Sequence, residues 1–184
     1  TLKGEPTYTP ANPNDFEAVG NLDPKYYGGL KNSISFKGFE LDIYIEFKKQ
    51  LGLNYLGQIL NGTPPGVLNA LYGNQPAEVL NRWQEEGDRN PIGKFTANYG
   101  TAAATTSNSF FFSSGSYNDA SYLRIKTISL IYSFPKKRLS KLGMRDCRIY
   151  VSGQNLMTIT HYKGSDPETQ SFYGIPPMKT VSIG

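Results

Sequence analysis

The feature that most constrains this chain is a run of strict alternation from Phe39 to Lys48. Phe39, Leu41, Ile43, Ile45 and Phe47 take one parity; Glu40, Asp42, Tyr44, Glu46 and Lys48 take the other. Side chains along a strand repeat every two residues, so the run predicts a β-strand with one apolar and one charged face. Just upstream, Leu30, Ile34 and Phe36 share a parity, and Lys37-Gly38 reads as a two-residue hairpin turn in which glycine supplies a positive φ.

A second pair of strands organises the later half. The first runs from Asp119 to Phe134 and slips phase: Leu123 and Ile125 are odd, whereas Ile128, Leu130, Tyr132 and Phe134 are even. A bulge near Lys126-Thr127 restores a single apolar face. The connector Pro135 to Asp146 carries five cations and one carboxylate, and reads as one helical turn with Gly143 as its C-cap. Its cations suit phosphates, but a solvated turn is the commoner explanation. The second strand begins at Cys147. Cys147, Ile149, Val151, Met157 and Ile159 share one face; Arg148, Tyr150, Ser152, Gln154, Thr158 and Thr160 share the other. A loop from His161 to Pro177 and a short strand from Met178 to Ile183 complete the chain.

Between these strands lie stretches without alternation. Residues 1–28 are rich in proline and read as a lead-in loop. Residues 51–116 form a long connection of the kind that is usually functional or disordered. Within it a helix is expected from Pro76 to Glu86, with Val79, Leu80 and Trp83 on one face and Gly87 ending it. Asn61-Gly62 is taken as a turn. The Phe110-Phe111-Phe112 trio is expected to insert into a neighbour or to end a strand.

Composition narrows the classes. Hydrophobic residues make up only 38% of the chain, yet it holds 13 Tyr and 10 Phe. No apolar run reaches the length of about 18 residues that a transmembrane helix needs, but a barrel strand needs only one apolar face and keeps a low mean hydropathy. The net charge of +4 is modest and gives a nucleic-acid role little support. Cys147 is the single cysteine, so no internal disulfide framework exists. Phosphate-cradling loops, H-E-x-x-H and G-x-S-x-G are absent, and His161, the single histidine, has no partner nearby in sequence. Glu40, Asp42 and Glu46 stand on one strand face, where neighbours two residues apart lie about 7 Å apart. Paired carboxylates serve glycosidases, but nothing in the sequence marks any of these three for acid–base work, and a plain hydrated sheet face is the better reading.

Several motifs in order then resemble a known family. They are Asn118-Asp-Ala-Ser-Tyr-Leu-Arg-Ile-Lys126, Leu130-Ile-Tyr-Ser-Phe-Pro135, Leu142-Gly143, Arg148-Ile-Tyr-Val-Ser-Gly-Gln-Asn-Leu156 and Tyr162-Lys-Gly-Ser-Asp-Pro-Glu168. Tyr27-Gly-Gly-Leu-Lys-Asn32, Phe36-Lys-Gly-Phe39, Asn74-Gln-Pro76, Arg82-Trp83 and Gly87-Asp88 add to them. Together they resemble the C-terminal end of SusC/RagA-type TonB-dependent outer-membrane transporters.

The resemblance implies an all-β fold: antiparallel transmembrane strands belonging to a barrel of about 22 strands, with long extracellular loops. It implies import of glycan fragments or oligopeptides across the outer membrane of a Gram-negative, Bacteroidota-like bacterium. A SusD/RagB-like lipoprotein would act as lid, and the TonB complex would act through an N-terminal plug that this chain lacks. No catalysis, cofactor, metal or nucleic acid is implied. On this reading 29–184 is barrel, 37–38 and 135–146 are periplasmic turns, and 51–116 and 161–177 are extracellular. Glu40, Asp42, Glu46, Arg148 and Gln154 would face the lumen. Tyr72, Trp83, Tyr162 and Tyr173 are the candidate substrate contacts, since aromatic rings stack on sugars and peptide side chains, although Trp83 reads better as a packing residue that pins its loop. Tyr122, Tyr132 and Tyr150 would join an aromatic girdle or the lumen. About five strands cannot close such a barrel, so the chain is expected to be a segment of something larger or to pair with other chains. A carbohydrate-binding β-sandwich, with apolar faces meeting each other, would show the same alternation.

Overall fold

In the computed structural model, residues 17–18, 20–60, 64–67, 74–90, 92–171 and 174–184 are described. In chain order the elements are β1 (Tyr26–Phe36), β2 (Phe39–Lys49), β3 (Leu51–Leu53), α1 (Tyr55–Ile59), α2 (Ala102–Phe111), β4 (Tyr117–Asp119), β5 (Tyr122–Ser133), α3 (Lys136–Leu139), β6 (Arg148–Thr160) and β7 (Thr180–Ile183). Strands β1, β2, β5, β6 and β7 form one antiparallel sheet in that order, and β3 pairs with β4 in a small separate ladder. The five-stranded sheet is thus an up-and-down meander.

The hairpin at Lys37-Gly38 forms as expected. Both residues have positive φ, 48° and 90°, the geometry that matches the right-handed twist of the flanking strands. The connector is also as expected: α3 passes into a 3-10 turn over Ser140–Leu142, and Gly143 closes it at φ 69°.

The register aligns the alternating patterns. Leu41 stands opposite Ile34 and Leu130, Leu130 opposite Val151, and Val151 opposite Ile183. Ile43 faces Ile128, Ile45 faces Ile125, and Phe47 faces Leu123. Met157 and Ile159 continue the last two rows across β6. The phase slip in β5 is a bulge: Tyr44 pairs with Thr127 and Ile45 with Ile125, leaving Lys126 as the extra residue. On β6 the matching irregularity falls at Asn155-Leu156, where Asn155 has φ 52°.

Nothing described in the chain covers the apolar face. Phe39, Ile149 and Val151 are 50%, 53% and 41% exposed. A sandwich would bury those side chains against a second sheet, so the sandwich alternative is set aside. A buried apolar cluster lies elsewhere, around Leu60, Val79 and Ile92 with Leu56 against them, inside the 51–116 excursion.

Several local expectations change. Strand β1 starts at Tyr26, earlier than expected, and β7 starts at Thr180, later. The long strand from Asp119 is interrupted at Ala120-Ser121, because the Asp119 carboxylate accepts from the Ser121 amide at 2.9 Å and turns the chain. The expected helix from Pro76 to Glu86 is a 3-10 turn over Ala77–Asn81 with Pro76 at its N-cap. Beyond it the chain is held extended: Arg82 bridges Ile92, and the Trp83 amide donates to the Ile92 carbonyl. The Asp88 carboxylate accepts from the amides of Gln84 and Glu85 at 2.9 and 3.2 Å, so a turn wins over helix there.

Helix α2 was not expected. Its serines and threonines are held within the helix, Thr106 and Ser109 donating to carbonyls four residues back at 2.8 and 3.1 Å. The Thr101 hydroxyl caps it by accepting from the Ala104 amide. Phe110 and Phe111 end this helix rather than a strand, and Phe112 beyond them is 80% exposed. Asn61 to Thr63 lie outside the described residues.

Candidate functional site

The second face of the sheet carries the chemistry. Glu40 stands opposite Ile131, Asp42 opposite Ser129, and Glu46 opposite Arg124. Arg148 stands opposite Ser133 and Gln154 opposite Thr127. Register therefore puts all five polar-face candidates on the side away from the apolar rows. Tyr122 and Tyr150 share that side, paired with Lys48 and Ile131. Tyr132 belongs to the apolar side, its ring 4.5 Å from that of Phe39.

At the bulge, two successive residues of β5 reach the polar side. Thr127 pairs there with Tyr44, and the Lys126 ammonium lies 3.7 Å from Glu46 and 3.0 Å from Glu168. Beside them Arg124 is 1% exposed. Its Nη1 donates to Glu168 at 2.6 Å, its Nη2 donates to Asp166, and its Nε donates to the Thr158 hydroxyl at 2.9 Å. The Tyr122 hydroxyl donates to Glu46 at 2.6 Å. A buried guanidinium is costly unless every side of it is met, and here the planar fork is matched by two carboxylates and a hydroxyl.

Those carboxylates come from the loop after β6, which folds back over the polar face. Asp166 is 6% exposed and accepts from the amides of Glu168 and Thr169 at 2.9 and 3.1 Å. The buried Gln50 amide donates to the Pro167 carbonyl at 2.8 Å, and Gln58 donates to the Gln170 carbonyl at 2.8 Å. The loop, the root of the 51–116 excursion and the polar face are thereby one hydrogen-bonded unit. Between the loop and the approach to β7 lies a cavity of about 300 Å³, bounded by Arg124, Asn155, Thr158, Asp166, Pro177 and Lys179.

The aromatic candidates divide. Tyr162 is 8% exposed, and its hydroxyl donates to the Leu53 carbonyl at 2.6 Å. Burial, with the Asp166 charge adding to it, pushes that hydroxyl's pKa up. Its ring is therefore engaged in seating the loop. Trp83 is half-buried with the Lys94 ammonium 5.5 Å from its ring. Tyr72 and Tyr173 lie outside the described residues.

At the root of the excursion, the Lys49 ammonium reaches Asp119 at 2.7 Å, and the Ser121 hydroxyl donates to the same carboxylate. These hold the Asp119 carboxyl down at about 2. Sequence reasoning did not single out Arg124, Lys126, Asp166 or Glu168 as site residues. The phase slip was the available signal, since a bulge re-aims side chains, and Asp166-Pro-Glu168 was the other.

No family model matches the sequence. Two curated relatives from Formosa agariphila do. TonB-dependent receptor P3 is 30% identical over 154 residues, 84% of this chain and 14% of the relative. TonB-dependent receptor P26 is 24% identical over 159 residues, 86% of this chain and 15% of the relative. The chain thus spans about one seventh of the length of these relatives. Among solved structures, the RagAB peptide importer in its closed-closed state superposes with a TM-score of 0.68 at 22% identity, over 96% of this chain and 18% of that one. In its open-open state the TM-score is 0.64 at 23% identity, with the same coverage.

Proposed function

We propose that this chain, a barrel segment of the SusC/RagA-type TonB-dependent transporter family, builds part of the wall and outer mouth of an outer-membrane importer. The observation that carries the reading is the open apolar face, with Leu30, Ile34, Leu130, Val151 and Ile183 all outward and uncovered, backed by a polar face. In hydrocarbon each such row meets acyl chains, while closure with further strands satisfies the edges of β1 and β7. The run Phe39 to Phe47 covers eight residue-to-residue steps, about 27 Å at about 3.4 Å each. At a tilt near 40° this gives about 21 Å along the membrane normal, close to the usual apolar band of about 25 Å.

On this reading the hairpin 37–38 and the connector 135–146 are periplasmic, and the 51–116 excursion and the loop after β6 are extracellular. Glu40, Asp42, Glu46, Arg148 and Gln154 face the lumen. A SusD/RagB-like lipoprotein covers the extracellular side, and TonB acts on a plug elsewhere in the whole protein. The solute is a glycan fragment or an oligopeptide, and the likeness to a peptide importer supports the second. Trp83, Tyr72 and Tyr173 remain the proposed solute contacts, while Tyr162 serves by holding the loop.

Spin labels at neighbouring positions test the facing. In the whole transporter with Cys147→Ser, nitroxides at Val151→Cys and Ser152→Cys are compared in lipid. Position 151 is expected to be relaxed by oxygen and 152 by a water-soluble nickel chelate. Equal nickel accessibility at the two sites would overturn the assignment. Growth of a strain lacking the transporter on peptides against glycans separates the two solutes.

A further inference from the structure

We propose that the connector between β5 and β6 is a binding surface for anionic phospholipid headgroups, seated where the sheet's apolar face ends; this rests on the reading that the apolar face meets lipid. Lys136, Lys137, Arg138, Lys141 and Arg145 are all exposed. Among the described residues, the ion pairs involve Lys49, Arg124 and Lys126, and none of these five cations takes part. Water solvates each of these exposed cations, but five of one sign on one folded element make a positive patch whose field attracts an anionic partner.

The connector is held in place. The Phe134 amide donates to the Cys147 carbonyl at 3.1 Å, the Met144 amide to the Leu139 carbonyl at 3.1 Å, and Leu139 is 3% exposed. Two apolar side chains nevertheless point out between the cations, Leu142 at 70% and Met144 at 43% exposure. Isolated, they would be an unexplained pair; beside cations they match a segment that lies in the headgroup layer with its aliphatic groups dipped inward.

The order of chemistry along the strands agrees. The last apolar row is Phe36, Phe39, Tyr132 and Ile149. Phe39 and Tyr132 of this row and Phe134 just beyond it form a chain of ring contacts, tilted and then edge-on, with centroids 4.5 and 4.9 Å apart, and Lys37 lies 5.1 Å from the Phe36 ring. The cations follow immediately. Acyl region, aromatic belt and charged headgroups succeed one another in a bilayer in the same order. The recognising chemistry is ammonium and guanidinium on phosphodiester, each cation strengthening attachment to an anionic leaflet by about fivefold.

The whole transporter and its K136Q/K137Q/R138Q variant are to be purified from mixed micelles of phosphatidylglycerol and phosphatidylcholine, and the retained lipid quantified by mass spectrometry. The parent is expected to enrich phosphatidylglycerol, the enrichment falling at least tenfold in the variant and with added salt. Leu142→Ser is expected to weaken retention of both lipids. Equal enrichment in parent and variant would overturn the proposal, as would preference for lipopolysaccharide over phosphatidylglycerol or displacement by inorganic phosphate at matched concentration. The nitroxide contrast between positions 151 and 152 reports separately on the lipid-facing premise. An intact contrast with unchanged enrichment removes the headgroup site alone, whereas a lost contrast removes the premise.

Discussion

Replacing Arg124 with methionine is the sharpest perturbation of the polar face. The side chain is 1% exposed, and it bridges Thr158 of β6 to Asp166 and Glu168 of the loop. Removing one partner of a buried pair costs about 3–5 kcal/mol, mostly from the charge left behind. Here the remainder is cushioned. Asp166 keeps the amides of Glu168 and Thr169, and Glu168 keeps Lys126 at 3.0 Å. The lower end, about 3 kcal/mol, therefore applies. That energy ties the loop to the wall, so it is lost mainly from local opening of residues 162–170. At about 1.4 kcal/mol per tenfold, amide hydrogen exchange there should accelerate on the order of a hundredfold in the whole transporter, while β2 amides stay unchanged. Adding Asp166→Asn to Arg124→Met removes both charges together and should recover most of the loss. Exchange in 162–170 within threefold of the parent would refute the argument that this cluster seats the loop.

Other outcomes follow from the same geometry. Val151→Arg, on the apolar face, should destabilise the folded barrel by about 2–4 kcal/mol in urea titrations in lipid, and Ser152→Arg by far less. Gly38→Ala should cost about 1–2 kcal/mol, measured as a lower heat-modifiability midpoint. Its φ is 90°, and an added Cβ would meet the Ser133 carbonyl at 2.8 Å. Tyr162→Phe should free the loop by about 1 kcal/mol through loss of the bond to Leu53, read as faster cleavage between residues 161 and 171. Asp119 has a folded pKa depressed to about 2, below its ordinary value. Its contribution is therefore present above about pH 4 and lost as pH falls toward 2. Pepsin nicking of the 51–116 excursion should rise over that window, and Lys49→Met should flatten the change.

Periodicity alone determined a great deal about this protein. The alternation from Phe39 to Lys48, the Lys37-Gly38 turn, the bulge at Lys126 and the capped turn ending at Gly143 were all legible, because each depends on residues a few positions apart. So was the division into an apolar and a polar face, with Glu40, Asp42, Glu46, Arg148 and Gln154 together on the second. Tertiary structure decided what each face meets and which polar groups join. Arg124 finds Asp166 and Glu168 more than forty residues away, and no spacing rule reaches across such a loop. Tyr162 turned inward because the Leu53 carbonyl, far along the chain, accepts from its hydroxyl, whereas Pro76–Glu86 stopped short of a helix because nearby Asp88 and Ile92 accept from the amides of Gln84, Glu85 and Trp83. The sandwich and the barrel share one alternation, and they parted only when the sheet was seen with its oily side bare.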